Sequence, residues 1–166
     1  MALVVEDGTG IANAASYISL VNARAFLATR GLSLNVDDTI AEQQLRLGTD
    51  YTESYGDQYT GTKYTQDQAL EWPRSNAVVQ GFTISVTEIP LRLGYGQAML
   101  ASEIEAGVDL TPIQTGRFIV RDKIDVMDTW FSERINTSGQ PRFPAVDIML
   151  IPLLGIHSRF LSTHRA

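Results

Sequence analysis

Histidine, cysteine and serine are the residue types that most often carry metal binding or nucleophilic catalysis. The chain has no cysteine, and its two histidines, His157 and His164, stand near the C-terminus without acidic residues close by in the sequence. A metal site needs several converging ligands, and a serine nucleophile needs a histidine base in a stable segment. The sequence therefore predicts no metal site and no cofactor, and we expect the protein not to be an enzyme.

Two further patterns resemble chemical motifs but lack the residues that would complete them. Gly8 and Gly10 suggest a phosphate-binding loop, yet neither a P-loop lysine nor the third glycine of a dinucleotide fingerprint follows them. Adjacent acids such as Asp37 and Asp38 point to different helix faces, and helix starts favour acids in any case. The glycines therefore indicate a flexible arm, and the acids indicate helix caps.

The densest aromatic region combines five rings with few basic groups. Single-stranded nucleic acid is bound by stacking of its bases on aromatic side chains beside cations. Lys63 and Arg74 are the only basic residues of this region, which also carries five acids. That balance favours packing or a protein interface over base stacking for Tyr51, Tyr55, Tyr59, Tyr64 and Trp72.

Length and composition limit the architecture that positions these residues. The 166 residues are 44% hydrophobic and 19% charged, which suits a single domain over residues 1–166 with its own core. The longest apolar run, at 145–156, is interrupted and too short to span a bilayer, and we expect folding in a cytoplasm. The net charge of -6 repels a polyanion on average, so tight DNA binding would need a local basic patch.

Apolar residues spaced by three and four predict a mainly α domain of about four helices. The first runs from Leu20 to about Arg30, with Ser19 as its N-cap and Gly31 as its stop. The others are expected from Asp37 or Asp38 to near Gly56, from Pro90 to about Ala106 and from Ala145 to about Leu154. Gly94 and Gly96 weaken the third helix, which indicates that another backbone packs closely there.

The remaining segments are expected to be extended or irregular. They are an extended arm at 1–15, a loop-rich connection at 57–86 with a short strand at 82–86, and a tail at 155–166. Thr65 and Gln68 resemble a capping box that would start one helical turn. Alternating apolar residues at 116–128 predict a half-buried strand or hairpin inserted into the helical core of 19–154. Trp72 and Pro73 are predicted to form a structural corner with a buried indole.

Several segments resemble a family of small tailed-phage proteins encoded among virion assembly genes. The opening VEDGTG at 5–10, the helix entry SYIS at 16–19, and Phe26 with Arg30 and Gly31 are similar to its N-terminal region. TDYTESYGDQYTGTK at 49–63, ALEWPRS at 69–75 and FPAVD at 143–147 resemble its later elements. The resemblance covers nearly the whole chain, and the region 94–140 is only loosely similar.

Proteins of this kind are described in two ways, as a head-tail connector (adaptor) and as a DnaT-like single-stranded DNA-binding protein of phage replication. Because the chain is acidic, we favour the connector, which is a structural protein that forms a homo-oligomeric ring through which double-stranded DNA passes. The resemblance then implies a twelvefold ring with the portal protein and tail or tail-terminator proteins as partners, and no membrane. It also implies a location at the neck of the bacteriophage virion after synthesis in the host bacterial cytoplasm.

A ring subunit needs surfaces for its neighbours, and seven residues are candidates for this interface. Leu3, Val4 and Val5 cannot be buried by the arm alone, so they should lie either on their own core or on a neighbouring subunit. The sequence gives these two alternatives equal weight. The basic candidates belong to the predicted insertion and the tail: Arg121, Lys123, Arg159 and Arg165.

Overall fold

The computed structural model describes residues 2–110, 123–124, 127–128 and 143–155 of the chain. Four α-helices dominate this part, so the expected mainly α fold class is confirmed. The helices are α1 (Leu20–Ala28), α2 (Asp38–Glu53), α3 (Leu91–Glu105) and α4 (Pro144–Leu150), and two 3-10 turns lie at Gly56–Gln58 and Ile151–Leu153.

The first two helices start at the side chains that the sequence offers as caps. Ser19 Oγ accepts the N–H of Asn22 at 3.3 Å, and Asp37 Oδ1 accepts the N–H of Thr39 at 2.7 Å. Each bond satisfies a backbone donor that the helix itself cannot pair. Both predicted N-caps are therefore confirmed.

Two helices end earlier than the sequence predicts. α1 ends at Ala28, and the Thr29 hydroxyl then donates to the carbonyl of Phe26 at 2.6 Å. α4 ends at Leu150 and gives way to the 3-10 turn, because Pro152 has no N–H with which to continue the helical hydrogen bonds.

The strands are short and form three two-stranded antiparallel pairs within the described residues. β1 (Thr62–Lys63) pairs with β2 (Arg74–Ser75), β3 (Val78–Val79) with β4 (Phe82–Thr83), and β5 (Lys123–Ile124) with β6 (Met127–Asp128). The strand expected at 82–86 is thus one arm of a tight hairpin, in which Gln80 and Gly81 both adopt positive φ. Of the predicted insertion at 116–128, only the strands β5 and β6 lie within the described residues, and the rest lies outside them.

The helical turn predicted after Thr65 does not form, so this prediction is wrong. Gln68 Oε1 does accept the N–H of Thr65 at 2.8 Å, as a capping box requires. Its Nε2 group, however, donates to the carbonyls of Leu70 and Pro73 at 2.8 and 3.0 Å. The buried carboxamide therefore fastens an irregular loop instead of starting a helix.

α3 is the centre of the helical core and packs against α1, α2 and α4. A Cβ atom on Gly94 would lie 3.1 Å from Ile18 Cβ and 3.3 Å from the carbonyl oxygen of Tyr17. A Cβ atom on Gly48 of α2 would lie 2.8 Å from the carbonyl oxygen of Gln97. The close approach predicted at Gly94 is confirmed, and α2 supplies a second glycine for the same purpose.

The N-terminal arm lies on its own chain. Val5 forms a parallel β-bridge with Ser16, and the carbonyl of Val4 accepts the N–H of Ala15 at 2.8 Å. Leu3 packs against a buried cluster formed by residues of α1, α2 and α3. Of the two alternatives for the arm, the structure shows packing on its own core.

Trp72 is fully buried where the loop-rich middle meets the helices. Its ring contacts that of Tyr59 edge-on, with centroids 6.2 Å apart, and its backbone N–H donates to Tyr17 Oη at 3.1 Å. Pro73 is buried as well, and the peptide bond between the two residues is cis. This is the environment that a structural corner requires, and its energetic importance stays a prediction.

Replacing Trp72 with alanine should lower the free energy of unfolding by about 3–5 kcal/mol, as when other large aromatic side chains are removed from cores. Trp72→Phe keeps an aromatic ring at the site and should have a clearly smaller effect. Chemical denaturation followed by circular dichroism measures both values. An unchanged stability of Trp72→Ala would show that the indole does not hold the loop to the helices.

Candidate nucleic-acid interface

A groove opens between the arm, α1 and the start of α3. Its volume is about 930 Å³, and it is lined by residues 5–7 and 17–19, one side of α1, residues 87–91, Gly94 and Tyr95. A cleft of this size with aromatic and polar groups in its walls suits a small planar ligand. Its shape depends on Gly94, which lets α3 approach residues 17 and 18.

Three side chains in this groove form a layered stack. The Arg30 guanidinium lies over the Phe26 ring, 3.8 Å from its centroid, and the Phe26 ring is parallel to that of Tyr95, with centroids 4.0 Å apart. Arg30 Nη1 also donates to Thr29 Oγ1 at 3.0 Å, which holds the guanidinium in place on an exposed residue. A fixed guanidinium plane beside aromatic rings is a platform on which a nucleobase can stack.

The aromatic pattern of the sequence does not reveal this stack, because its rings come from different helices. Phe26 belongs to α1 and Tyr95 to α3. The spacing of four between Phe26 and Arg30 is a signal for part of it, since side chains so spaced meet on one helix face. The stack is therefore a candidate site that sequence reasoning missed.

Three acidic side chains line the same groove and differ in their availability. Glu6 is buried, and its carboxylate accepts the backbone N–H groups of Gly8, Gly10 and Ile11 at 2.8–2.9 Å. Asp7 is exposed and accepts the hydroxyl and the N–H of Thr9, and these hydrogen bonds hold the pKa of Asp7 below its ordinary value. The side chain of Glu88 is exposed and forms no hydrogen bond or ion pair within the described part of the chain.

The glycines of the arm shape the turn beside the acidic wall of the groove, which consists of Glu6, Asp7 and Glu88. Gly8 and Gly10 adopt positive φ of 98° and 80°, which curls residues 8–11 around the Glu6 carboxylate. In a phosphate loop such N–H groups would bind phosphate, whereas here the chain's own carboxylate occupies them. Residues 8–11 therefore form a hydrogen-bonded turn. The prediction of a flexible arm, which was based on Gly8 and Gly10, is wrong for these residues.

α3 begins at the groove without a side-chain cap, because its N-cap residue is Pro90. Arg92 is exposed in the first turn of the same helix. Unpaired N–H groups at a helix start and a nearby guanidinium both favour a negatively charged group. The edge of the groove at the start of α3 therefore favours a negatively charged group, whereas the wall that carries Glu6, Asp7 and Glu88 does not.

The tyrosine-rich region is used for packing. Ring contacts link four of its members: Tyr51, Tyr55, Tyr59 and Trp72. Its two cations are also engaged, since Lys63 Nζ lies 3.3 Å from Glu71 Oε1 and Arg74 Nη1 lies 2.6 Å from Glu71 Oε2. These four rings pack on each other, as the sequence predicts, and the absence of base stacking on them stays a prediction.

A buried hydrogen-bond network anchors Tyr17, which lines the groove. Tyr17 Oη donates to Glu53 Oε1 at 2.5 Å, and Glu53 Oε2 accepts the N–H of Glu71 at 2.8 Å. Burial raises the pKa of the Glu53 carboxyl, although the hydrogen bonds from Tyr17 and Glu71 act in the opposite sense. Burial and the neighbouring Glu53 also raise the pKa of Tyr17.

Of the seven residues predicted as a subunit interface, four lie within the described residues, and the interface itself stays a prediction. Val5 lines the groove, and Leu3 and Val4 lie on the chain's own core. Lys123 belongs to β5, and Arg121, Arg159 and Arg165 lie outside the described residues.

Among the described residues, no cluster of three or more histidine or acidic side chains could hold a metal ion. The helices in that part of the chain are all too short or too polar to cross a membrane.

The sequence matches, over residues 1–166, the model of a family described as "Putative DnaT-like ssDNA binding protein". The chain belongs to this family. Comparison of this DnaT-like protein with curated proteins and with solved structures finds no match.

Membership of the DnaT-like family corrects the functional preference drawn from the sequence. The description that matches is the single-stranded DNA-binding one, so the head-tail connector and its virion keywords are wrong. The twelvefold ring and the portal and tail partners are wrong with it. The error lies in the use of net charge: the value of -6 describes the average surface, whereas a stacking site needs only a few well-placed groups such as Arg30 and Phe26.

The partly buried Glu53 predicts a pH dependence of stability. Because burial raises its pKa above the ordinary 4.5, the folded protein holds this proton more tightly than the unfolded chain does. The stabilising contribution is therefore fully present below pH 4.5 and is lost as the pH rises through the raised pKa of the folded state.

Glu53→Gln removes this titration and keeps the shape of the side chain. The free energy of unfolding of the wild type, minus that of Glu53→Gln, should decrease as the pH rises above 4.5. Urea denaturation at a series of pH values measures this difference. A difference that grows with pH would show that the hydrogen bonds from Tyr17 and Glu71 outweigh burial.

Proposed function

We propose that the chain binds single-stranded DNA in the groove between the arm, α1 and α3, and that it does so without catalysing a reaction. The stack of Arg30, Phe26 and Tyr95 carries the proposal, together with membership of the DnaT-like family. The bases of a single strand can turn out onto such a platform, and every base has a π-face that can use it. A duplex keeps its bases paired and stacked on each other, so it gains nothing there.

The outer face of the Arg30 guanidinium is the expected contact for a base. Its inner face covers the Phe26 ring, and the residue is exposed. The hydrogen bond to Thr29 favours this orientation of the guanidinium, which reduces the entropy lost on binding. Tyr95 is half-buried and backs the stack from the other side of Phe26, so it supports the platform more than it offers contact area.

The charge distribution along the chain is compatible with DNA binding although the total is -6. Residues 1–110 include six basic and fourteen acidic residues, whereas residues 111–166 include seven basic and five acidic residues. The carboxylates of the groove repel phosphates, so we assign most of the affinity to base stacking. We assign phosphate contacts to Arg92 at the start of α3, which predicts a modest salt dependence.

Arg30→Ala should weaken the binding of a single-stranded oligonucleotide by roughly 5- to 150-fold, the equivalent of about 1–3 kcal/mol of base stacking. Arg46→Ala is the matched control, because Arg46 lies on α2 outside the groove and its loss changes the net charge equally. The control should change the affinity by less than about twofold. Fluorescence anisotropy titrations with a labelled strand of mixed sequence give both dissociation constants.

Equal losses in Arg30→Ala and Arg46→Ala would mean that charge, and not the stack, carries the affinity. If the wild type shows no saturable binding to the strand, the proposed function itself is wrong. Circular dichroism of each variant checks that a lost affinity does not reflect a lost fold.

A further inference from the structure

We propose that the platform at Arg30 takes a purine in preference to a pyrimidine, because it contacts the face of a base and not its hydrogen-bonding edge. The inference rests on the proposed binding of single-stranded DNA and adds the class of base to it. Its basis is the order of the layers in the stack, together with the hydrogen bonds that engage the edge of the guanidinium.

The Arg30 end of the stack is the exposed one. Phe26 is 8% exposed, because the Arg30 guanidinium covers one face of its ring and Tyr95 covers the other. Tyr95 is half-buried, whereas Arg30 is exposed. A base that stacks on the face of the guanidinium turned away from Phe26 therefore meets the platform with one of its own faces.

The edge of the Arg30 guanidinium is partly engaged by the chain itself. Arg30 Nη1 donates to Thr29 Oγ1 at 3.0 Å and to the carbonyl oxygen of Phe26 at 3.4 Å. These two acceptors take both hydrogens of Nη1, and the end-on fork by which arginine binds the edge of guanine needs one of them. Arg30 therefore offers a base its face more than its edge.

A stacked contact is stronger for a larger ring system. Dispersion attraction grows with the number of atom pairs in contact, and a purine places two fused rings on the guanidinium where a pyrimidine places one. The positive charge of Arg30 is also attracted to the π-face of the rings. The groove, with a volume of about 930 Å³, leaves room for the larger base. Every base can therefore bind, and purines bind more tightly.

The test uses the full chain and strands of about 12 nucleotides that are abasic except at one central position. The central base is adenine, unsubstituted purine, thymine or none. Neighbouring bases can then neither occupy the platform nor stack on the base under test. Unsubstituted purine keeps the two rings of adenine and lacks its amino group, so it separates ring area from hydrogen bonding at the edge.

Titrations followed by the amide chemical shifts of the protein measure even weak dissociation constants. The values for the adenine and purine strands should agree within about twofold and lie about two- to fivefold below that of the thymine strand. The strand without a base should bind most weakly, because it keeps only the phosphate contacts.

Arg30→Lys keeps the positive charge and removes the planar face. The adenine and thymine strands should bind to this variant with dissociation constants that differ by less than about 1.5-fold. Arg46→Lys is the matched control, since it makes the same exchange on α2 outside the groove and should keep the preference for purine.

Each other outcome has a distinct meaning. Equal binding of the adenine and thymine strands by the wild type would overturn the purine preference, while saturable binding of the mixed-sequence strand would leave the proposed function standing. An adenine strand that binds clearly more tightly than the purine strand would show that the edge is read, which overturns the role of ring area. A preference that survives in Arg30→Lys would overturn the role of the guanidinium face. If no strand binds saturably, the mixed-sequence strand included, the proposed function fails together with the preference.

Discussion

Gln97, fully buried in α3, joins three parts of the chain through both ends of its carboxamide. Its Oε1 accepts the N–H of Tyr17 at 2.9 Å, and its Nε2 donates to Ser16 Oγ at 2.7 Å and to the carbonyl of Leu45 at 3.0 Å. An unpaired buried polar group costs about 1–3 kcal/mol, so each of these groups depends on the others. The segment after the arm, α2 and α3 are thereby held in one arrangement.

The groove follows from that arrangement. With residues 16 and 17 fixed on α3, the arm pairs alongside them through Val5, and the turn around Glu6 forms one wall. The close contact of Gly94 with Ile18 places the start of α3 beside α1, where Tyr95 meets Phe26. The Phe26–Tyr95 pair of the proposed platform is therefore a product of core packing.

Local features were predictable from the sequence, and so was the close approach at Gly94, whereas the other features that join distant segments were not. The caps at Ser19 and Asp37 depend on donors within one helical turn, so their residue types were sufficient. Gln68 misled the prediction because its amide group reaches carbonyls that only the folded loop brings near. The platform was hidden because its two rings come from helices far apart in the chain, and a charge summed over all residues says nothing about one groove.

The central claim is that a single strand lies in the groove with its bases at the Arg30–Phe26–Tyr95 stack. Photo-cross-linking tests it most directly, with a single-stranded oligonucleotide that carries a photoreactive thymine analogue and mass spectrometry of the cross-linked peptides. The account predicts cross-links at Phe26 in α1, at Arg30 just after it and at Tyr95. Cross-links confined to the β3–β4 hairpin, where Phe82 is 76% exposed, would contradict it.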